Sequence, residues 1–433
     1  MSDTTRTAPG GADTLLAPEP KDETPKQTFV LAETTVPVDP NADTSVRPFE
    51  FRASDEALTD LKRRIVATRW PSKELVDDAT QGVQLATIQK LATYWANEYD
   101  WRKFEAQLNA LPQFVTSIDG VDIHFIHVRS QHANALPLII THGWPGSIVE
   151  ELKIVGPLTD PAAHGGTEAD AFDVIIPSLP GYGFSGKPTE LGWDPVRIAR
   201  AWATLMDRLG YGQFIASGGD WGDPVTEQLA VLFPDRVSAI HLNMPSAVPP
   251  EIFEAMQTGT PPTGLAPEEQ RAFEQLSFFF DKGLGYANEM RLRPQTLYAL
   301  EDSPVGLAAW ILDHDDESYK MIARLFDGEN EGLSRDDVLD NITLYWLTET
   351  AVSSARLYWE NKLAFFAPQG VNVPVVISAF PTELYQVPES WAKAAFPKMI
   401  YYQRHPKGGH FAAWEQPQSW TVDVRNGFRS LRD

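Results

Sequence analysis

Five consecutive residues, Gly218-Gly219-Asp220-Trp221-Gly222, put a carboxylate where a chain could use it as a nucleophile. In a Gly-x-Nuc-x-Gly pattern the central side chain stands on a strained strand-to-helix turn, and glycines remove Cβ atoms that would collide there. The flanks predict that setting. Gln213 to Ser217 is a short strand-like run, and Asp223 to Phe233 has an acidic start, Pro224 in its first turn and apolar residues at helical spacing. A serine attacking an sp3 carbon would leave an ether, which histidine-activated water cannot cleave, whereas a carboxylate leaves an ester. Asp220 therefore predicts substitution at an sp3 carbon followed by ester hydrolysis. Taken alone, the pattern also fits an ordinary glycine turn containing an aspartate, and its weight comes from three other segments.

Leu136 to Ile140 is a short apolar run of the kind that forms a buried parallel strand, and it leads into Thr141-His142-Gly143-Trp144-Pro145-Gly146-Ser147. Such a turn can aim a backbone N–H into the same pocket, which makes the amides of Trp144 and Trp221 the candidate oxyanion hole. Lys407-Gly408-Gly409-His410-Phe411 sets one of nine histidines on a glycine-rich turn after the strand-like Met399 to Gln403. Glu383 lies a few residues beyond the strand-like Val373 to Ala379. The order Asp220, Glu383, His410 is that of nucleophile, acid and base in α/β-hydrolases. Glu301, Asp302 and the cluster from Asp313 to Glu317 are rival acids, but they lie away from strand ends and read as solvated surface charge. His124 and His127 are three apart in an alternating stretch and face opposite sides of it, so they make no metal pair.

On these motifs the chain resembles the microsomal-type epoxide hydrolases, a branch of the α/β-hydrolases with its own N-terminal extension. The resemblance runs from about Pro48 to the C-terminus. It rests on His142 to Ser147, Gly219-Asp220-Trp221-Gly222, Ala379-Phe380-Pro381-Thr382-Glu383-Leu384 and Gly408 to Ala413. It implies an α/β fold: a mainly parallel hydrolase sheet with an inserted helical cap. It further implies that Tyr286 in Gly285-Tyr286-Ala287 and Tyr358 in Arg356-Leu357-Tyr358-Trp359 are cap acids for ring opening, with Ser303 to Trp310 as the cap segment between them. Nothing else singles out these two among 12 tyrosines. The implied activity is conversion of a small-molecule epoxide and water to a vicinal diol, with no cofactor and no metal. A haloalkane dehalogenase is the nearest rival, since it shares the fold, the Asp nucleophile and a Trp directly after it. A non-catalytic ligand-binding protein on the same fold is a further alternative, which the complete set of Asp220, Glu383 and His410 disfavours.

The elements that must position these residues divide the 433-residue chain. Residues 1–46, rich in Thr, Pro, Asp and Ala, read as a flexible tail in which Gln27 to Leu31 could form an extended segment. Residues 47–134 read as the extension. It starts with a helix over Ser54 to Ala67 that has Ser54 as N-cap, Asp55 and Glu56 in its first turn, and Leu58, Leu61 and Ile65 as its buried stripe. A second helix over Thr87 to Tyr99 puts Ile88, Leu91 and Trp95 on one face. Core residues 135–244 include Asp173 to Leu179, whose following glycine turn lacks the ending of a phosphate loop. Residues 245–366 form the cap. Its aromatics at Phe278 to Phe280, Trp310, Trp346 and Trp359 are expected to pack, with some lining an apolar pocket. Residues 367–433 complete the core.

A formal charge of -23 disfavours nucleic acid and anionic membrane surfaces as partners but not a neutral epoxide. No apolar stretch approaches the roughly 18 residues of a membrane anchor. Zero cysteines exclude disulfides and thiol catalysis. With no targeting signal, the expected location is cytoplasmic. A homodimer is compatible with the sequence and not required by it.

Overall fold

In the computed structural model, which describes residues 44–258 and 260–432, the apolar runs become strands of a single sheet. In chain order they are β1 (Arg47–Pro48), β2 (Gln113–Ile118), β3 (Val121–Val128), β4 (Leu136–Thr141), β5 (Phe172–Pro177), β6 (Phe214–Gly218), β7 (Val237–Leu242), β8 (Val375–Ala379) and β9 (Met399–Arg404). Their spatial order is β1-β2-β3-β5-β4-β6-β7-β8-β9. The pairs from β5 through β9 are parallel, while β1, β2 and β3 join the β5 edge antiparallel. Parallel strands need helical crossovers that cover both faces, so Leu138, Ile139, Val174, Ile175, Ala239 and Ile240 are all fully buried and their strands read as continuous apolar runs. The chain passes to one side of β4 to make β5 and to the other to make β6. The carboxyl ends of β4 and β6 therefore open onto the topological switch point, where open α/β sheets hold their ligands.

The helix expected from Ser54 is Asp55–Val66. Ser54 Oγ accepts from the Ala57 N–H at 3.0 Å, and Leu61 and Ile65 are buried while Leu58 is half-buried. The second expected helix is Leu85–Asn97, with Ile88, Leu91 and Trp95 buried. A third, Trp101–Asn109, follows with Asp100 as its N-cap. Gln27 to Leu31 and almost all of the expected tail lie outside the described residues.

These N-terminal helices hold the cap from its outer side. Trp95 Nε1 donates to Thr343 Oγ1 at 3.0 Å, Tyr99 OH to Asp340 Oδ1 at 2.7 Å and Tyr94 OH to Asp336 Oδ1 at 2.8 Å, and Lys90 pairs with Asp327. All three acceptors belong to the cap helix Arg335–Thr348. The cap's other helices include Gly285–Leu292, Pro304–Leu312, Asp316–Asp327 and Ala351–Glu360. Its aromatics depart from expectation in one respect. Phe278 and Trp359 are 51% and 42% exposed, so these rings meet solvent instead of lining a pocket. Among the described residues no helix is long and apolar enough to cross a membrane.

Candidate active site

Asp220 stands two residues after the end of β6 with φ at +50°, in the left-handed region that non-glycine residues seldom occupy. The tightness of the turn is visible in the glycines around it. A Cβ on Gly218 would lie 2.1 Å from the Gly222 carbonyl oxygen, and one on Gly222 would lie 1.8 Å from the Thr141 oxygen at the end of β4. The turn closes this tightly only without those side chains, and the helix Gly222–Leu232 starts immediately behind it. At the end of β4, the Trp144 N–H donates to Asp220 Oδ1 at 2.7 Å. No hydrogen bond from the Trp221 amide is found among the described residues. Its position directly after Asp220 is the one an oxyanion donor occupies.

The candidate base and its partner come from the far half of the chain. His410 Nε2 is 3.5 Å from Asp220 Oδ2, and His410 Nδ1 is 2.6 Å from Glu383 Oε1. Glu383 is fixed by Asn243 Nδ2, which donates to Oε2 at 3.1 Å, and by the Leu384 N–H, which donates to Oε1 at 2.8 Å. All three ionisable groups are buried. Burial alone would raise the pKa of Asp220, but the His410 contact and charge, the His314 charge and the Trp144 amide outweigh it and hold the carboxyl below its usual value. Burial likewise opposes a charged His410, yet Glu383 and Asp220 overrule it and hold the imidazolium well above the ordinary histidine range. Loss of the Asp220 charge would remove part of the support for a charged His410.

Above the carboxylate, Tyr286 and Tyr358 descend from the cap helices Gly285–Leu292 and Ala351–Glu360 and are both buried. Their ring centroids are 6.0 Å apart. Tyr286 stacks on Trp144 at 4.9 Å, and Tyr358 meets Trp221 edge-on at 4.8 Å. Burial, with Asp220 nearby, pushes both hydroxyls well above the ordinary tyrosine value, so each stays a neutral donor. Phe365 and Phe411 continue this aromatic lining, 5.7 Å from Trp221 and 4.9 Å from His410. Asp220, the His410–Glu383 pair and two buried tyrosines are thus gathered among aromatic side chains. The arrangement suits attack on carbon, protonation of a departing oxygen, and then ester cleavage.

Comparison with known proteins follows the same line. Residues 46–151 match the family model for the epoxide hydrolase N terminus, and residues 137–282 match that for the alpha/beta hydrolase fold. A relative from Stigmatella aurantiaca is 50% identical over 391 residues, covering 89% of this chain and 86% of its own. "Epoxide hydrolase 1" of Oryctolagus cuniculus is 39% identical over 403 residues, covering 88% of each. The chain belongs to the epoxide hydrolase family. Among solved structures, the juvenile hormone epoxide hydrolase of the silkworm Bombyx mori superposes with a TM-score of 0.78 at 30% identity, covering 90% of this chain and 96% of that one.

Two features of this family member escape a reading of the sequence. The run from Asp313 to Glu317 is not simply solvated charge: His314 is buried and its Nδ1 is 2.9 Å from Asp315 Oδ2. Asp315 is largely buried too. Burial would raise its pKa, but the hydrogen bond and charge of His314 prevail and hold it at about 2. His314 Nε2 reaches 4.0 Å from Asp220 Oδ2. The only hint in the sequence is a polar turn at the end of the very apolar helix Pro304–Leu312. Of the other rival acids, Asp302 pairs with Arg64 at the surface and Glu301 accepts from the Val352 N–H at 2.9 Å. The second feature is Glu150, buried behind the Trp144 turn, where it accepts from the Gly143 N–H at 3.3 Å and burial raises its pKa to about 8. Glu150, Gly143, Asn243, Asp220 and His410 border a small space that suits a water molecule.

His124 bonds to Ser178 and Gln113, whereas His127 bonds to Tyr211, so the two do serve different surroundings. The one described trio with metal-ligand spacing is Asp220, His314 and His410, whose donor atoms lie within 4.8 Å of one another. An ion there would occupy the nucleophilic oxygen and both imidazoles together and would obstruct ester chemistry.

Proposed function

We propose that this chain hydrolyses small apolar epoxides to vicinal diols through an ester on Asp220. The observation that carries the reading is the placement of Asp220 Oδ2 beside His410 Nε2, under two buried tyrosines, with Oδ1 held by the Trp144 amide. Oδ2 attacks a ring carbon while Tyr286 and Tyr358 donate to the opening oxygen, and the proton that the new alkoxide needs comes ultimately from the His410 imidazolium. Ester formation removes the Asp220 charge, which leaves His410 neutral and able to take a proton from water. Hydroxide adds to Asp220 Cγ, the oxyanion forms on Oδ1 at the Trp144 and Trp221 amides, and Glu383 stabilises the imidazolium. Proton release and uptake balance over the cycle.

The buried indole of Trp221, directly after Asp220 and edge-on to Tyr358, is a group that could hold a departing halide, so haloalkanes belong in the test. Purified protein and its Asp220→Ala variant are incubated with aryl and alkyl epoxides and haloalkanes, and diol and halide are measured together. Diol from the wild type alone is the expected result. Diol formed equally by Asp220→Ala, or halide in place of diol, refutes the proposal. The same reading has the protein at work in the cytoplasm, supported by a net charge of -23 that disfavours anionic membranes.

A further inference from the structure

The cap brings a second histidine to the oxygen that does the chemistry. His314 lies between the helices Pro304–Leu312 and Asp316–Asp327, and its Nε2 approaches Asp220 Oδ2 to 4.0 Å, beside the 3.5 Å approach of His410 Nε2 to the same atom. The two imidazole rings are 4.4 Å apart. Asp315 engages His314 Nδ1 as Glu383 engages His410 Nδ1. His314 Nε2 is buried and has no hydrogen-bond partner. A buried polar atom left unpaired is costly, and this one faces the reacting oxygen.

We propose that His314, oriented by Asp315, is a further catalytic residue: the proton donor to Asp220 Oδ2 as that oxygen leaves in ester hydrolysis. The proposal rests on the aspartyl-ester reading above. Because Oδ1 is held by the Trp144 amide, Oδ2 is the oxygen that bonds to the substrate carbon. Water then adds to Cγ, its proton passes to His410 Nε2, and the carbonyl electron pair moves onto Oδ1. Collapse re-forms that carbonyl and breaks the Cγ–Oδ2 bond. Oδ2 departs with the substrate as one hydroxyl of the diol, taking its proton from His314 Nε2. The carboxylic acid left on Asp220 keeps the second proton of the water and returns it to His314, so Asp220 ends ionised and both imidazoles end protonated. Asp315 and Glu383 each hold one ring through Nδ1.

Single-turnover stopped-flow tryptophan fluorescence, with intact-protein mass spectrometry, reads alkylation and ester hydrolysis separately. For His314→Gln and Asp315→Asn the expected result is alkylation slowed by no more than about threefold, with ester hydrolysis slowed about tenfold to hundredfold and ester accumulating. The loss should shrink for epoxides carrying electron-withdrawing substituents, because a more acidic alcohol leaves without a donor. A merely structural role would slow both steps and ignore the substituent. His314→Phe keeps a ring against His410 and Tyr286, guards against misfolding, and should be as slow in hydrolysis as His314→Gln. Equal losses in the two steps, or a hydrolytic loss independent of the substituent, overturns the proposal. Should neither wild type nor His410→Gln ever carry substrate mass, the aspartyl-ester reading itself fails, by a readout that does not involve His314.

Discussion

Gly143→Ala should move the nucleophile without altering its chemistry. A Cβ at that position would stand 2.2 Å from Asp220 Oδ1 and 2.3 Å from Asp220 Cβ, whereas real Cβ contacts essentially never fall below 3.0 Å. Relief of the Asp220 Cβ contact alone requires the two turns to separate by about 0.7 Å. The 2.7 Å bond from the Trp144 amide to Oδ1 runs between the same two turns, so the shift strains it together with the aim of Oδ2. A misplacement of about 1 Å at a reacting centre costs on the order of 100-fold in rate, which corresponds to about 2.7 kcal/mol of barrier. Stopped-flow fluorescence measures the alkylation rate constant directly, and a thermal melt checks that the fold persists. An alkylation rate within about threefold of wild type, in a protein of unchanged melting temperature, would refute the claim that this glycine sets the position of the carboxylate.

His410→Gln should halt turnover after the first step, and intact mass should show one substrate added to the protein; a variant that turns over freely would contradict the assignment of the base. Phenylalanine at both Tyr286 and Tyr358 should slow alkylation by about 100-fold to 10,000-fold, and a retained single-turnover rate would remove the tyrosines from the mechanism. Stability should fall as pH rises from about 6.5 to 8. Burial raises Asp340 to about 8 and Glu227 to about 7, so the native state keeps protons that the unfolded chain has lost, and each group lowers stability by up to ~1.4 kcal/mol per pH unit in that window. Below it the opposite trend acts, because burial lowers His127, His142 and His241 to about 4, and unfolding lets them take up protons. Urea unfolding between pH 5 and 9 measures the slope, and Asp340→Asn should make it shallower. A rise in stability from pH 6.5 to 8 would contradict the sign.

Much of the candidate site's placement is legible because its parts sit at strand ends. A strand-like run that ends in a turn marks a carboxyl end of a parallel sheet, and the turns after β4, β6, β8 and β9 carry Trp144, Asp220, Glu383 and His410, with glycines in all but the β8 turn. The chain order of three chemically distinct residues did the rest. Tyr286 and Tyr358 were legible only through family resemblance, since neither helix carries a local sign that its tyrosine points inward. His314 and Asp315 were misread because the surrounding Asp and Glu residues have the composition of a solvated loop. Only tertiary packing against Trp144, Tyr286 and His410 turns that loop toward the nucleophile. Glu150 was silent for a related reason: a glutamate in a helical first turn is commonplace, and its burial depends on the fold of the Trp144 turn above it.

The bonds from Tyr94, Trp95 and Tyr99 to the helix Arg335–Thr348 bear on how substrates come and go. Three hydrogen bonds tie this helix to residues 94–99, so a cap that moved away from them would have to break all three. A substitution at Trp95 or Tyr99 removes one such tie, and it should alter the apparent affinity for wide substrates more than for slender ones.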